Sequence, residues 1–185
     1  MQNNYQEKVL AETYPLFSYQ TRDLAWTLVF TLAAIVLPAL LAHTPQNQWI
    51  TGTIVNAILF LAVWRIGFVN TALVAILPSS IALFRGLLPA PMAVLIPFII
   101  LSNIIMIAAF YSVRKTNLGT KFPSLVFAMS FASLLKFAFL FAVTSYFIKV
   151  ASPLLVMMQW PQLFTALAGG LIAVSVIKKF EKYHS

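Results

Sequence analysis

Lys136 is the residue with the most chemistry to offer. It is the only Asp, Glu, Lys or Arg between Phe122 and Ile148, a stretch otherwise dominated by Phe, Leu, Ala and Val. A lysine at the centre of a membrane helix costs about 2.5–3.5 kcal/mol on insertion scales, and such residues usually face a bundle interior or a cavity. On a helix, Ser130, Ser133, Lys136 and Thr144 fall on one stripe about 120° wide. The alternative is a lysine that snorkels or bonds to backbone carbonyls, which its central position makes difficult. All four acids, Glu7, Glu12, Asp23 and Glu181, lie outside the apolar stretches. A buried cation without an anion in its own chain suits a carboxylate or phosphate that arrives from outside. The same lack of intramembrane acids argues against a carboxylate proton relay and against a hard-cation site.

Other polar residues fall at compatible depths. Asn103, preceded by Ser102, lies about 12 residues, or roughly 18 Å, from the expected outer end of its helix. Lys136 lies at a similar depth. Asn103 suits either a ligand or an interhelical hydrogen bond. Arg85 follows Pro78-Ser-Ser-Ile-Ala-Leu-Phe84 at an expected outer end, where a guanidinium would attract anions or anchor the helix at the interface. Gln159-Trp-Pro-Gln162 opens the last helix on that side, with Pro161 in its first turn. Trp160 fits an aromatic belt or a stacking surface, whereas Asn56 and Asn70 fit packing. Ala166, Gly169, Gly170 and Ala173 permit close backbone approach, for internal packing or for docking a partner.

The elements that must position these residues follow from composition. The chain has 185 residues, 61% hydrophobic and 9% charged. A soluble domain carries about 25% charged residues. This composition excludes a soluble enzyme, a nucleic-acid-binding domain and a disordered chain. Without cysteine there is no disulfide framework, iron–sulfur cluster or thiolate zinc site. A span needs about 20 apolar residues. The charge-free stretches, broken at the polar turn 43–48, predict six helices at about 24–42, 49–64, 67–84, 91–113, 123–148 and 161–178. The expected fold is therefore an all-α integral membrane protein, a six-helix bundle over 24–180. Residues 1–23 form a polar or interfacial segment and 181–185 a tail. Six spans put both termini on one side. With that side cytoplasmic, nine basic residues are inside (Lys8, Arg22, Arg65, Arg114, Lys115, Lys121, Lys178, Lys179 and Lys182) and only Arg85 and Lys149 outside. This is the positive-inside bias expected of a plasma (inner) membrane protein. No nucleophile elbow, P-loop or zinc-protease motif occurs, and His43 and His184 are far apart in the sequence. Neither a catalytic site nor a bound cofactor or metal is expected.

The chain resembles the substrate-binding S components of energy-coupling factor transporters, which take up vitamins and cofactor precursors. The resemblance covers roughly 24–180. It rests on size, six spans and three segments: Pro78-Ser-Ser-Ile-Ala-Leu-Phe-Arg-Gly-Leu-Leu-Pro89, Pro97-Phe-Ile-Ile-Leu-Ser-Asn103, and Trp160-Pro-Gln-Leu-Phe-Thr-Ala-Leu-Ala-Gly-Gly-Leu-Ile-Ala173. It implies an outward-opening pocket, a membrane coupling subunit and two cytoplasmic ATPases as partners, and toppling of the subunit to release its ligand. Many members carry an Ala-xxx-Ala pair in the first helix for docking, which residues 24–42 lack, so docking would differ here. Gln2 stands where nickel and cobalt members carry histidine, which disfavours metal uptake.

On this reading Lys136 meets the anion of a small organic ligand. Asn103 and Ser133 supply hydrogen bonds, Arg85 guides the anion in, and Gln159, Trp160 and Gln162 line the mouth. The competing expectation is a non-transporting assembly or structural subunit, in which Lys136 pairs with an acid of a partner helix. A membrane enzyme acting on lipid is weaker, for want of intramembrane acids or histidines.

Overall fold

The computed structural model describes residues 21–40, 47–84, 90–116, 122–148 and 152–184. Arg85 and residues 1–20 lie outside the described residues. Among the described residues every element is helical: α1 (Thr21–Leu40), α2 (Asn47–Phe84), a 3-10 turn (Ala90–Leu95), α3 (Ile96–Arg114), α4 (Phe122–Ala142) ending in a π turn (Val143–Phe147), the short α5 (Ser152–Met157) and α6 (Trp160–His184). Five of these helices are long and apolar enough to cross a membrane.

The helices expected at 49–64 and 67–84 form one element, α2. Its apolar part, Gln48–Ile81, has 34 residues. At 1.5 Å per residue a straight helix of that length would measure about 51 Å, well beyond a hydrocarbon core of about 30 Å. It is not straight. Gly67 is non-helical at φ 74° and ψ −177°, a region open to glycine and strained for other residues. Before Gly67, Phe60 packs edge-to-face on Phe110 near the end of α3, with ring centroids 5.0 Å apart. After it, Phe68 lies 6.2 Å from Tyr111, and Ile76 and Ser80 share a groove with Ile96, Ile100 and Ile104 at the start of α3. Both arms of α2 thus run alongside α3, so the chain reverses at Gly67. In the second arm, Pro78 is accommodated within the helix. Two residues on, the Ser80 hydroxyl donates back across the proline to the Ile76 carbonyl at 3.0 Å, as polar side chains do where lipid offers no partner.

One end of the bundle collects basic and aromatic side chains. Arg65 stacks over Trp26 at 5.3 Å, the Arg114 guanidinium donates to the Trp64 carbonyl at 2.7 Å, and Trp64 lies 6.4 Å from Phe180. The start of α1, the Gly67 reversal, the end of α3 and the end of α6 therefore share that end. At the other end the Gln48 amide donates to the Met157 carbonyl at 3.0 Å, and Trp49 lies 6.3 Å from Phe164. At the basic end α6 extends past the expected 178, helped by the i,i+3 pair of Lys178 and Glu181 at 3.1 Å.

The first arm of α2 and α6 touch backbone to backbone. A Cβ on Gly169 would lie 2.5 Å from the Thr53 carbonyl oxygen and 2.7 Å from the Ala57 nitrogen. On Gly170 it would instead meet the flexible Met129 side chain. Around this seam Phe60, Phe110, Met106, Ile107, Met129 and Ile177 are fully enclosed. By contrast, α1 shows Leu28, Leu32 and Leu40 on its outer face, as a lipid-facing helix does.

Two substitutions test this architecture by thermal unfolding in detergent. Gly169→Ala should destabilise by about 1–3 kcal/mol, and clearly more than Gly170→Ala, because backbone cannot yield as Met129 can. Gly67→Ala should cost about 1–3 kcal/mol from backbone strain alone, since nothing within 4 Å would meet its Cβ.

Candidate functional site

Lys136 is directed inward, with 3% of its surface exposed. Its Nζ donates to the Asn56 Oδ1 at 2.7 Å. The amine offers only donors, so the amide oxygen must face it. That leaves the Asn56 nitrogen to donate onward to the Thr165 hydroxyl at 3.4 Å, and the Thr165 hydroxyl donates to the Gln162 carbonyl at 3.2 Å. One polar chain therefore links α4, α2 and α6. Gly52 and Gly169 let α2 and α6 approach closely enough to close it: a Cβ on Gly52 would lie 3.1 Å from Thr165.

Register places the remaining polar groups. The Phe60–Phe110 pair and Met129, packed beside Phe60 at Gly170, form an apolar floor. Asn56 lies one turn, about 6 Å, above Phe60. Asn103 lies two turns, about 10 Å, above Phe110, and Lys136 the same distance above Met129. The lysine side chain leans back toward the start of its helix, which brings Nζ down to Asn56. Asn103 is 4% exposed, and its Oδ1 is buried without a hydrogen-bond partner. Asn56, Asn103 and Lys136 thus share about one turn of depth above the floor, on three different helices.

The other expected residues fall as follows. Ser133 lies one turn below Lys136 but donates to its own helix, to the Met129 carbonyl at 2.8 Å. Gln159 donates to the Ser145 hydroxyl at 3.3 Å on the surface. Trp160 is half exposed and packs against Phe137, with ring centroids 5.0 Å apart. Gln162 is half-buried and joins the polar chain only through its carbonyl. Ala166, Gly169, Gly170 and Ala173 are all buried, so of the two roles open to them the structure realises internal packing. Docking through this face would require the α2–α6 seam to part. Asn56 and Thr165 complete the chain and were not expected in it. Asn56 was legible as an intramembrane amide, but its pairing with a residue 80 positions away was not.

A groove of about 600 Å³ between the second arm of α2 and α3 is lined by Ile76, Ser80, Ile96, Pro97, Ile100, Leu101 and Ile104. None of the expected site residues lines it. Among the described residues no three His, Asp or Glu side chains gather as metal ligands. No family model matches the chain, and neither a curated protein nor a solved structure matches it.

Leaving a desolvated cation without its partner costs more than removing both. Asn56→Leu should therefore destabilise by about 3 kcal/mol or more, Lys136→Met by less, and the double variant should recover much of the Asn56→Leu loss. A double-mutant cycle read by thermal unfolding checks this ordering.

Proposed function

We propose that this chain is the substrate-binding membrane subunit of an energy-coupling-factor-type uptake transporter for a small organic anion, a vitamin or cofactor precursor. The two arms of α2 count as separate crossings, giving six, and the basic–aromatic end of the bundle faces the cytoplasm across the plasma (inner) membrane. Arg65, Arg114, Lys115, Lys178 and Lys182, on segments that meet at that end, satisfy the positive-inside bias. The observation that carries the reading is Lys136, enclosed within the bundle and, among the described residues, held by a neutral amide alone. A cation desolvated without a counter-charge is several kcal/mol out of balance, and an incoming anion restores that balance. The chain has no nucleotide-binding motif, so a membrane coupling subunit and two cytoplasmic ATPases would supply the energy. Because Ala166, Gly169, Gly170 and Ala173 are enclosed, docking to the coupling subunit would use another surface.

A second reading has one observation in its favour. The 2.7 Å bond from Lys136 to Asn56 also suits a structural tie in a non-transporting assembly subunit, with no ligand at all.

Native mass spectrometry of the purified protein, with a thermal-shift screen of vitamins and organic acids, separates the two. A transport subunit should carry or bind an anion, with stabilisation of about 2.7 kcal/mol at a ligand concentration 100 times Kd. Lys136→Met should weaken that binding by about 10- to 100-fold, as expected for loss of a hydrogen bond to a charged group. Absence of any ligand, together with co-purification of one unrelated membrane complex without ATPases, would favour the structural subunit.

A further inference from the structure

We infer that the ligand is a monocarboxylate that also carries an N–H or O–H donor, its carboxylate meeting Lys136 and its donor meeting Asn103, with Asn56 as the residue that positions Lys136. The inference rests on the interior site proposed above. Lys136 is the one charged side chain among the described residues that is buried, the other described charges lying near helix ends or at the Gly67 reversal. A single positive charge balances one negative charge, and a phosphate dianion would bring an uncompensated second charge into a low-dielectric interior. The amine has three donors and Asn56 takes one, which leaves two for the two oxygens of a carboxylate.

The donor requirement comes from Asn103. Among the described buried polar side chains, its Oδ1 is the one atom without a partner. Comparable groups settle on their own helices, as Ser102 does on the Ile99 carbonyl at 2.8 Å and Thr144 on the Leu140 carbonyl at 2.8 Å. A buried acceptor at the depth of Lys136 calls for a hydrogen from elsewhere. Met129 in the floor and Met106 one turn above Phe110, both fully enclosed, have flexible side chains that can shift to admit a guest.

The test is a thermal-shift and equilibrium-dialysis comparison of full-length protein in nanodiscs. Three panels are used: monocarboxylates bearing an amide, amine or hydroxyl donor; the same acids with that donor methylated; and phosphomonoesters with neutral amides. Stabilisation is expected only from the first panel, with affinity falling at least tenfold on methylation. Asn103→Leu should keep or raise the stability of the ligand-free protein while losing at least tenfold in affinity for first-panel ligands and not for their methylated forms. Asn56→Gln, which retains the amide acceptor, should bind more tightly than Asn56→Leu. Lys136-dependent binding of phosphomonoesters or of methylated acids as tight as the first panel, or an Asn103→Leu variant with wild-type affinity, would overturn the inference and leave the anion-uptake reading standing. No stabilisation from any panel and no co-purified ligand would overturn both.

Discussion

A basic side chain enclosed in a greasy bundle and bound to an amide is the constraint from which the rest of this structure follows. Lys136 is 3% exposed and a hydrocarbon core offers no hydrogen bonds, so its Nζ hydrogens call for oxygen within the bundle. Asn56 supplies one oxygen at 2.7 Å. The amide can do so only if its nitrogen is also satisfied, which Thr165 provides. Each partner creates the need for the next, and the chain ends on a backbone carbonyl of α6. Three helices are therefore fixed in register by one charged group.

That register depends on glycine. Thr165 can stand beside Asn56 because α2 and α6 meet where Gly52 and Gly169 leave no side chain between them. Membrane helices gain little from hydrophobic association, since lipid is as apolar as the helix surface, so close packing and polar bonds carry the assembly. The same seam serves both purposes here. Gly67 plays a different part: its positive φ reverses the chain within one residue and brings two arms of α2 beside α3.

These features differed in how far the sequence revealed them. Lys136 and the apolar spans stood out because a lone charge in a long hydrophobic run needs no three-dimensional context, and helix boundaries at α1, α3 and α4 fell within a few residues of those expected. The Arg65-Ile-Gly67 break was visible as an interruption but not as a one-residue reversal, since the φ of a glycine is not written in its neighbours. The Ala166–Ala173 face had two physical uses that share one residue pattern, and only the burial of that face in the seam separates them. The bond between Lys136 and Asn56 depends on helix rotation and register, which periodicity leaves open. Gln159 and Trp160 lie at the end opposite the basic cluster, but a nearby intramembrane lysine says nothing about which way a surface tryptophan turns.

The distribution of polarity along the bundle also sets the direction from which the interior could be reached. Below the Phe60–Phe110 pair, the space toward the basic end is closed by Val63, Ile66, Leu125, Val174 and Ile177, all buried. An anion cannot cross that layer without shedding its hydration among side chains that offer no hydrogen bond. Above the pair the interior turns polar, with Asn56, Asn103, Ser133, Lys136 and Thr165 within a few turns of one another. The far end beyond them is tied by exposed hydrogen bonds, from Gln48 to Met157 and from Gln159 to Ser145, each exchangeable with water at small net cost. There α4 leaves α-helical geometry for a π turn at Val143–Phe147, a local irregularity of the kind found at functional sites. Next to the Phe60–Phe110 pair the interior is thus apolar toward the basic end and polar toward the loosely tied end. For the anion proposed above, the smaller desolvation cost would therefore lie on the side opposite the basic cluster.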